Sequence, residues 1–278
     1  MMEQAMGLGR GQVLNLAMGG YSIFDAVVTY ERNRTILSSA DIVVVQLDGF
    51  QFTTGIVPGP RYEVFASLSD RMAFHGAKRA RLIKDWFVRT DSALVPLYIY
   101  LNYSLIRRRP PEDYGIDRYG RLALVPITGE HDPREFTERA FRGWINEFYR
   151  EYEHSPVMEG QLARMVTMAQ ERGAKVYLIH MPTAGNYLAL LEREPGNPYL
   201  QFKTNLTRAA QELGARCQFW EAPAEVGLTD RDFVDWGHLN TPGAEKWSQF
   251  FVRWLQAAEA AGPAVSSARV LSGGGLER

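Results

Sequence analysis

The chain has 278 residues, 46% of them hydrophobic and 12% aromatic, and 31 Lys+Arg against 32 Asp+Glu leave a net charge of −1. That apolar share supports a sizeable core and excludes a wholly disordered protein. The near-neutral balance gives no global attraction for nucleic acid, so none is expected as a partner. The single cysteine, Cys217, excludes an internal disulfide framework and a cysteine-rich zinc site.

Residues 1–12 (MMEQAMGLGRGQ) are polar and Gly-rich and lack the basic and apolar regions of a signal peptide. The glycines at Gly7, Gly9 and Gly11 precede a strand instead of following one, so they do not form a dinucleotide-binding loop. The first strand-like run is 13–17 (VLNLA), closed by Gly19 and Gly20. Ile23, Ala26, Val27, Tyr30 and Arg34 then fall near helical spacing, which predicts a helix over 23–37. Residues 41–47 (DIVVVQL) form a β-branched run without alternation, the pattern of a strand buried on both faces. Strand, helix and strand in this order make a βαβ unit with parallel strands.

Residues 53–154 show no βα rhythm and are rich in Arg, Tyr and Pro; they are read as a helical and loop insertion over one end of the sheet. Within it, 93–106 (ALVPLYIYLNYSLI) falls short of the ~20 apolar residues that span a bilayer. Arg107, Arg108 and Arg109 behind it would suit an interfacial segment, but it reads first as a buried helix with a basic exit. His75 sits among Lys78, Arg79 and Arg81 and reads as part of a solvated basic face. His131 and His154 have no partner pattern, and no His, Asp or Glu grouping has metal-ligand spacing.

The βα rhythm resumes at 156–172, where Met158, Leu162, Met165, Val166 and Ala169 form one apolar stripe and Gly173 follows as a helix stop. Residues 175–180 (KVYLIH) predict a buried strand and 197–213 a helix stopped by Gly214. Residues 216–220 (RCQFW) predict the next strand. Thr241, as cap, and Pro242 open the last helix, with Trp247, Phe250, Phe251 and Trp254 on one face. Alternation of this kind predicts an α/β fold around a mostly parallel sheet. The tail after Gly262 is small and polar and is expected to be disordered.

The sharpest chemical signal is Asp235-Trp236-Gly237-His238-Leu239-Asn240, followed by Thr241-Pro242-Gly243-Ala244. An Asp three residues before a His can hold one ring nitrogen and leave the other free as a general base. The bland alternative is a surface Asp and a helix-capping His. His180, at the end of its strand, is either a loop-anchoring core residue or part of a site at that edge.

The D-x-x-H-L-N-x-x-G-A run, placed before an amphipathic helix late in an α/β chain, resembles the SGNH (GDSL-type) hydrolase superfamily, and within it the DltD-like and alginate acetyltransferase-like branch. The resemblance covers about 12–52 and 156–255. It implies a flavodoxin-like three-layer α/β/α sandwich over 1–262, acyl-ester hydrolysis or acyl transfer onto a cell-envelope glycan, and no metal or organic cofactor. Asp235 and His238 would be acid and base of a triad. Asn15-Leu16-Ala17-Met18-Gly19-Gly20 is similar to the family's N-x-G-x-x-G block with Ala17 as a departure, and makes Gly20 the backbone oxyanion donor. Asp48-Gly49-Phe50-Gln51 falls where the family has G-x-N-D, so Phe50 replaces the side-chain oxyanion donor, with Gln51 or Gln46 as substitutes.

The block that carries the family's serine belongs one βα unit before Asn15, and no Ser precedes that residue. Ser22, in Gly20-Tyr21-Ser22, is then a nucleophile of a rearranged site or a helix cap. Little or no turnover of p-nitrophenyl acetate is expected of a chain without the serine block. The alternative function is a non-catalytic binding domain for a glycan or a partner protein. As read from Met1 the chain is expected to be soluble and cytoplasmic; relatives of this type commonly carry an N-terminal membrane segment, which would make a fuller product exported or anchored.

Overall fold

The structure, a computed structural model, describes residues 22–53 and 133–261. The run at 13–17, Gly20, the segment 93–106, His75, His131 and the tail lie outside the described residues. Three parallel strands, β1 (Ile42–Gln46), β2 (Lys175–His180) and β3 (Arg216–Phe219), form a sheet in the order β1-β2-β3. They coincide with the predicted runs, and with the surrounding helices they make an α/β fold.

The helices are α1 (Ile23–Arg32), a single turn α2 (Arg34–Leu37), α3 (Glu138–Phe148), α4 (Pro156–Gln170), α5 (Tyr187–Leu191), α6 (Pro198–Glu212) and α7 (Thr241–Ala260). The predicted helix over 23–37 is broken at Asn33, whose side chain donates to the Thr29 carbonyl at 2.8 Å. The stops at Gly173 and Gly214 hold: both glycines have positive φ, 84° and 64°, which a side chain would resist.

Strand alternation divides the core. Val43, Val45 and Leu47 share a face with Val176, Leu178 and Cys217, and α1, α4 and α6 pack there through Ile23, Val27, Leu162, Val166, Phe202 and Leu206. Tyr177 and Ile179 face the other way, toward Trp220 and the Trp247, Phe251 and Leu255 side of α7.

The expectation that 41–47 is buried on both faces is corrected. Val44 is 38% exposed and Gln46 is exposed as well. The apolar face of α7 covers β2 and β3 but reaches β1 only at Ile42, so one side of this β-branched strand is left open among the described residues.

The ends of the predicted insertion meet: Thr53 and His154 form an antiparallel bridge, and the Ser155 N–H donates to the Phe52 carbonyl at 2.7 Å. His154 gains partners there. Its ring stacks on Phe52 with centroids 5.4 Å apart, and its Nε2 lies 3.0 Å from Glu159. The last stretch of the insertion is α3, whose Phe141 and Ile145 are buried in the main core. Among the described residues no helix is long and apolar enough to cross a membrane.

Candidate active site

The loop that carries Asp235 and His238 is closed at its base. Phe233 and Leu239 form an antiparallel bridge, and the Val234 N–H donates to the His238 carbonyl at 2.8 Å. Asp235 folds the tip. Its Oδ1 accepts from the backbone N–H groups of Gly237, at 2.9 Å, and His238, at 2.8 Å. That turn brings the imidazole over the carboxylate, with Nδ1 at 2.8 Å from Oδ2 and 3.0 Å from Oδ1. A carboxylate only accepts, so Nδ1 carries the proton and Nε2 is the free base position. Among the described residues Nε2 has no hydrogen-bond partner, and the side chain is 61% exposed.

The motif residues after the pair serve the frame. The predicted cap, Thr241, is corrected: Asn240 caps α7, its Oδ1 accepting from the Gly243 N–H at 2.9 Å. Its Nδ2 donates to the Arg231 carbonyl at 2.7 Å, so one buried amide ties the helix start to the loop entrance. Thr241 sits inside the helix, and His238 caps nothing. A Cβ at Gly243 would stand 2.1 Å from the Asp232 carbonyl oxygen, which explains the glycine. Asp232 itself is buried and accepts from Lys246 at 2.7 Å.

The loop docks on the carboxyl edge of the sheet. The Ala184 N–H, just beyond β2, donates to the Trp236 carbonyl at 2.8 Å. The Trp236 indole stacks on Tyr187 with centroids 4.5 Å apart and meets Phe50, just beyond β1, edge-on at 6.5 Å. Open parallel sheets bind ligands at this edge, beyond their strand ends.

The charges reinforce the assignment. Burial pushes the Asp235 carboxyl up, but the hydrogen bond from His238 and the N–H groups of Gly237 and His238 outweigh it, and it lies below its ordinary value. The hydrogen bond to Asp235 raises His238 above its ordinary value against partial burial, and the negative charges of Asp235 and Asp48 add to it. Asp48, just beyond β1, thus belongs to the same neighbourhood; in the sequence it stands out only as the first residue of the run that falls where the family has G-x-N-D.

Ser22 is fully buried as the N-cap of α1. Its hydroxyl donates to Asp25 Oδ2 and accepts from the Asp25 N–H, the closed arrangement of a capping box, so of its two readings the cap is the one observed. Phe50 packs against Phe148 at 5.0 Å between centroids. Gln51 Oε1 accepts from the Asp48 N–H at 2.8 Å, and Gln46 is exposed on the strand. His180 is buried, with Nδ1 3.0 Å from the Leu47 carbonyl and 3.3 Å from Asp48 Oδ1, so it anchors the end of β1. Among the described residues no group of His, Cys, Asp and Glu could hold a metal ion. In comparison with known proteins, the chain matches no family model, no curated protein and no solved structure.

Proposed function

We propose that this protein acts on acyl esters, as a hydrolase or O-acyltransferase, through Asp235 and His238 as the acid–base half of a Ser-His-Asp type site in a flavodoxin-like three-layer sandwich. The observation that carries the reading is the hydrogen bond of 2.8 Å from His238 Nδ1 to Asp235, with Nε2 left open at the carboxyl edge of the sheet. A general base needs a fixed tautomer, a free nitrogen and access to substrate.

In the reaction, a hydroxyl oxygen attacks the acyl carbonyl while His238 Nε2 takes its proton. Asp235 stabilises the imidazolium so formed, and the same proton passes to the leaving alkoxide as the C–O bond breaks. The hydroxyl belongs to the serine block that the family resemblance requires or to water. Ser22 does not supply it, because its hydroxyl is committed to Asp25. The acyl acceptor is water in a hydrolase and a carbohydrate hydroxyl in a transferase.

A second reading, a non-catalytic domain that binds a glycan or a partner protein, is favoured by Phe50. An apolar ring stands where an esterase of this type needs a donor. Hydrolysis of p-nitrophenyl acetate separates the two. The catalytic reading expects turnover, slow without an identified serine, that His238→Ala removes. The binding reading expects equal rates for the two proteins.

A further inference from the structure

Buried polar atoms are almost always paired. Three that have no hydrogen-bond partner among the described residues fall on one stretch of chain, from the end of β2 into α5: His180 Nε2, Thr183 Oγ1 and Tyr187 Oη. The histidine is accounted for. Its Nδ1 is spent on the Leu47 carbonyl, and its ring is held among the rings of Tyr199, Phe202 and Phe219.

Tyr187 is different, because a phenol is an obligate donor. Its ring is immobilised between Trp236, stacked at 4.5 Å, and the edge of Phe141, at 5.8 Å and 87°. Its hydroxyl is held well above the usual tyrosine range by burial, and the negative charges of Asp48 and Asp235 add to this, so it stays a neutral O–H donor. Those same two carboxylates act on His238. The idle donor belongs to the ring that packs face to face on Trp236, the residue that stands between Asp235 and His238 in the chain.

We infer that Tyr187 donates a hydrogen bond to the carbonyl oxygen of an uncharged acyl ester held beside His238, the role that Phe50 cannot fill, with the Thr183 hydroxyl as a second contact. The inference rests on the acyl-ester reading. The uncharged class follows from Asp48 and Asp235, whose carboxylates repel an anionic acyl group. A hydroxyl kept for a ligand gives the free protein nothing, because desolvating it without a partner costs free energy.

The test uses p-nitroacetanilide, an unreactive amide counterpart of the acetate ester, with the whole chain carrying tyrosine labelled at Cζ. Addition of the amide should shift the Tyr187 resonance in a saturable way. Tyr187→Phe should weaken binding about tenfold, the worth of one good hydrogen bond, and Thr183→Val should weaken it less. The Tm of Tyr187→Phe should equal or exceed that of the parent, which a hydroxyl with a structural role would not allow. Unchanged affinity in Tyr187→Phe, or no shift of Tyr187 at saturating amide, overturns the inference. Binding that depends on Tyr187 without any His238-dependent ester turnover instead overturns the acyl-ester reading and leaves Tyr187 as a ligand donor.

Discussion

The Trp236 indole lies face to face on the Tyr187 ring, centroids 4.5 Å apart and planes 19° from parallel. Trp236 is buried, and its carbonyl accepts the Ala184 N–H, so one residue holds the Asp235–His238 loop both by its ring and by its backbone. Truncation should therefore cost a large core side chain. Trp236→Ala is expected to lose about 3–5 kcal/mol of stability, and Trp236→Phe distinctly less, because it keeps a stacked ring. Urea unfolding checks both values.

Gly243 and Asn240 fix how the loop meets α7. A methyl group at Gly243 would drive into the Asp232 backbone, which cannot yield as a flexible side chain would. Gly243→Ala should destabilise by about 2 kcal/mol or more. Asn240→Ala should lose about 1–2 kcal/mol through the cap and the bond to Arg231. Their double mutant should fall short of the sum, since both act on the same helix start. Thermal and urea unfolding of the three variants give the comparison.

Ser22 separates a cap from a nucleophile. Its side chain is fully buried and engaged with Asp25. Ser22→Ala should cost about 1 kcal/mol of stability and leave any ester turnover unchanged. Loss of turnover in a folded Ser22→Ala protein would make Ser22 the nucleophile.

The Asp235–His238 pair gives stability a defined pH dependence. The folded His238 pKa is raised above its ordinary 6.5, so its contribution is complete below that value and is lost as pH rises through the folded one. Asp235 is lowered from its ordinary 3.8, so its contribution is present above that value and is lost as pH falls through the folded one. The pair therefore stabilises most between these two ordinary values. His238→Gln should flatten that part of the pH–stability curve, as read by urea midpoints across pH.

Much of the frame is legible in the sequence because it rests on local chemistry. The run KVYLIH is central and buried on both faces, so composition alone identifies it as β2. The helix stops at Gly173 and Gly214 follow from backbone freedom at single residues. The Asp235–His238 spacing works because a carboxylate can take the N–H groups two and three residues ahead of it. What escapes the sequence depends on neighbours far along the chain. DIVVVQL has the composition of a two-sided strand, yet Val44 is exposed because α7 stops short of it. Thr241 is as good a cap by type as Asn240, and the Arg231 carbonyl decides for the amide. Nothing in Tyr187 marks it before the chain folds its ring onto Trp236.

The central claim is that Asp235 sets His238 as a base for acyl transfer, and the pH dependence of p-nitrophenyl acetate turnover tests it most directly. The slow turnover that the parent chain retains without an identified serine should show kcat/KM rising with pH through a limb above 6.5, the ordinary histidine value, because the raised His238 must first lose its proton. Asp235→Asn removes the carboxylate that raises it. The limb should move to lower pH, and the plateau should fall about tenfold or more as the tautomer is freed. His238→Ala should abolish the limb altogether. A limb that stays in place in Asp235→Asn, or turnover that survives His238→Ala, would contradict the account.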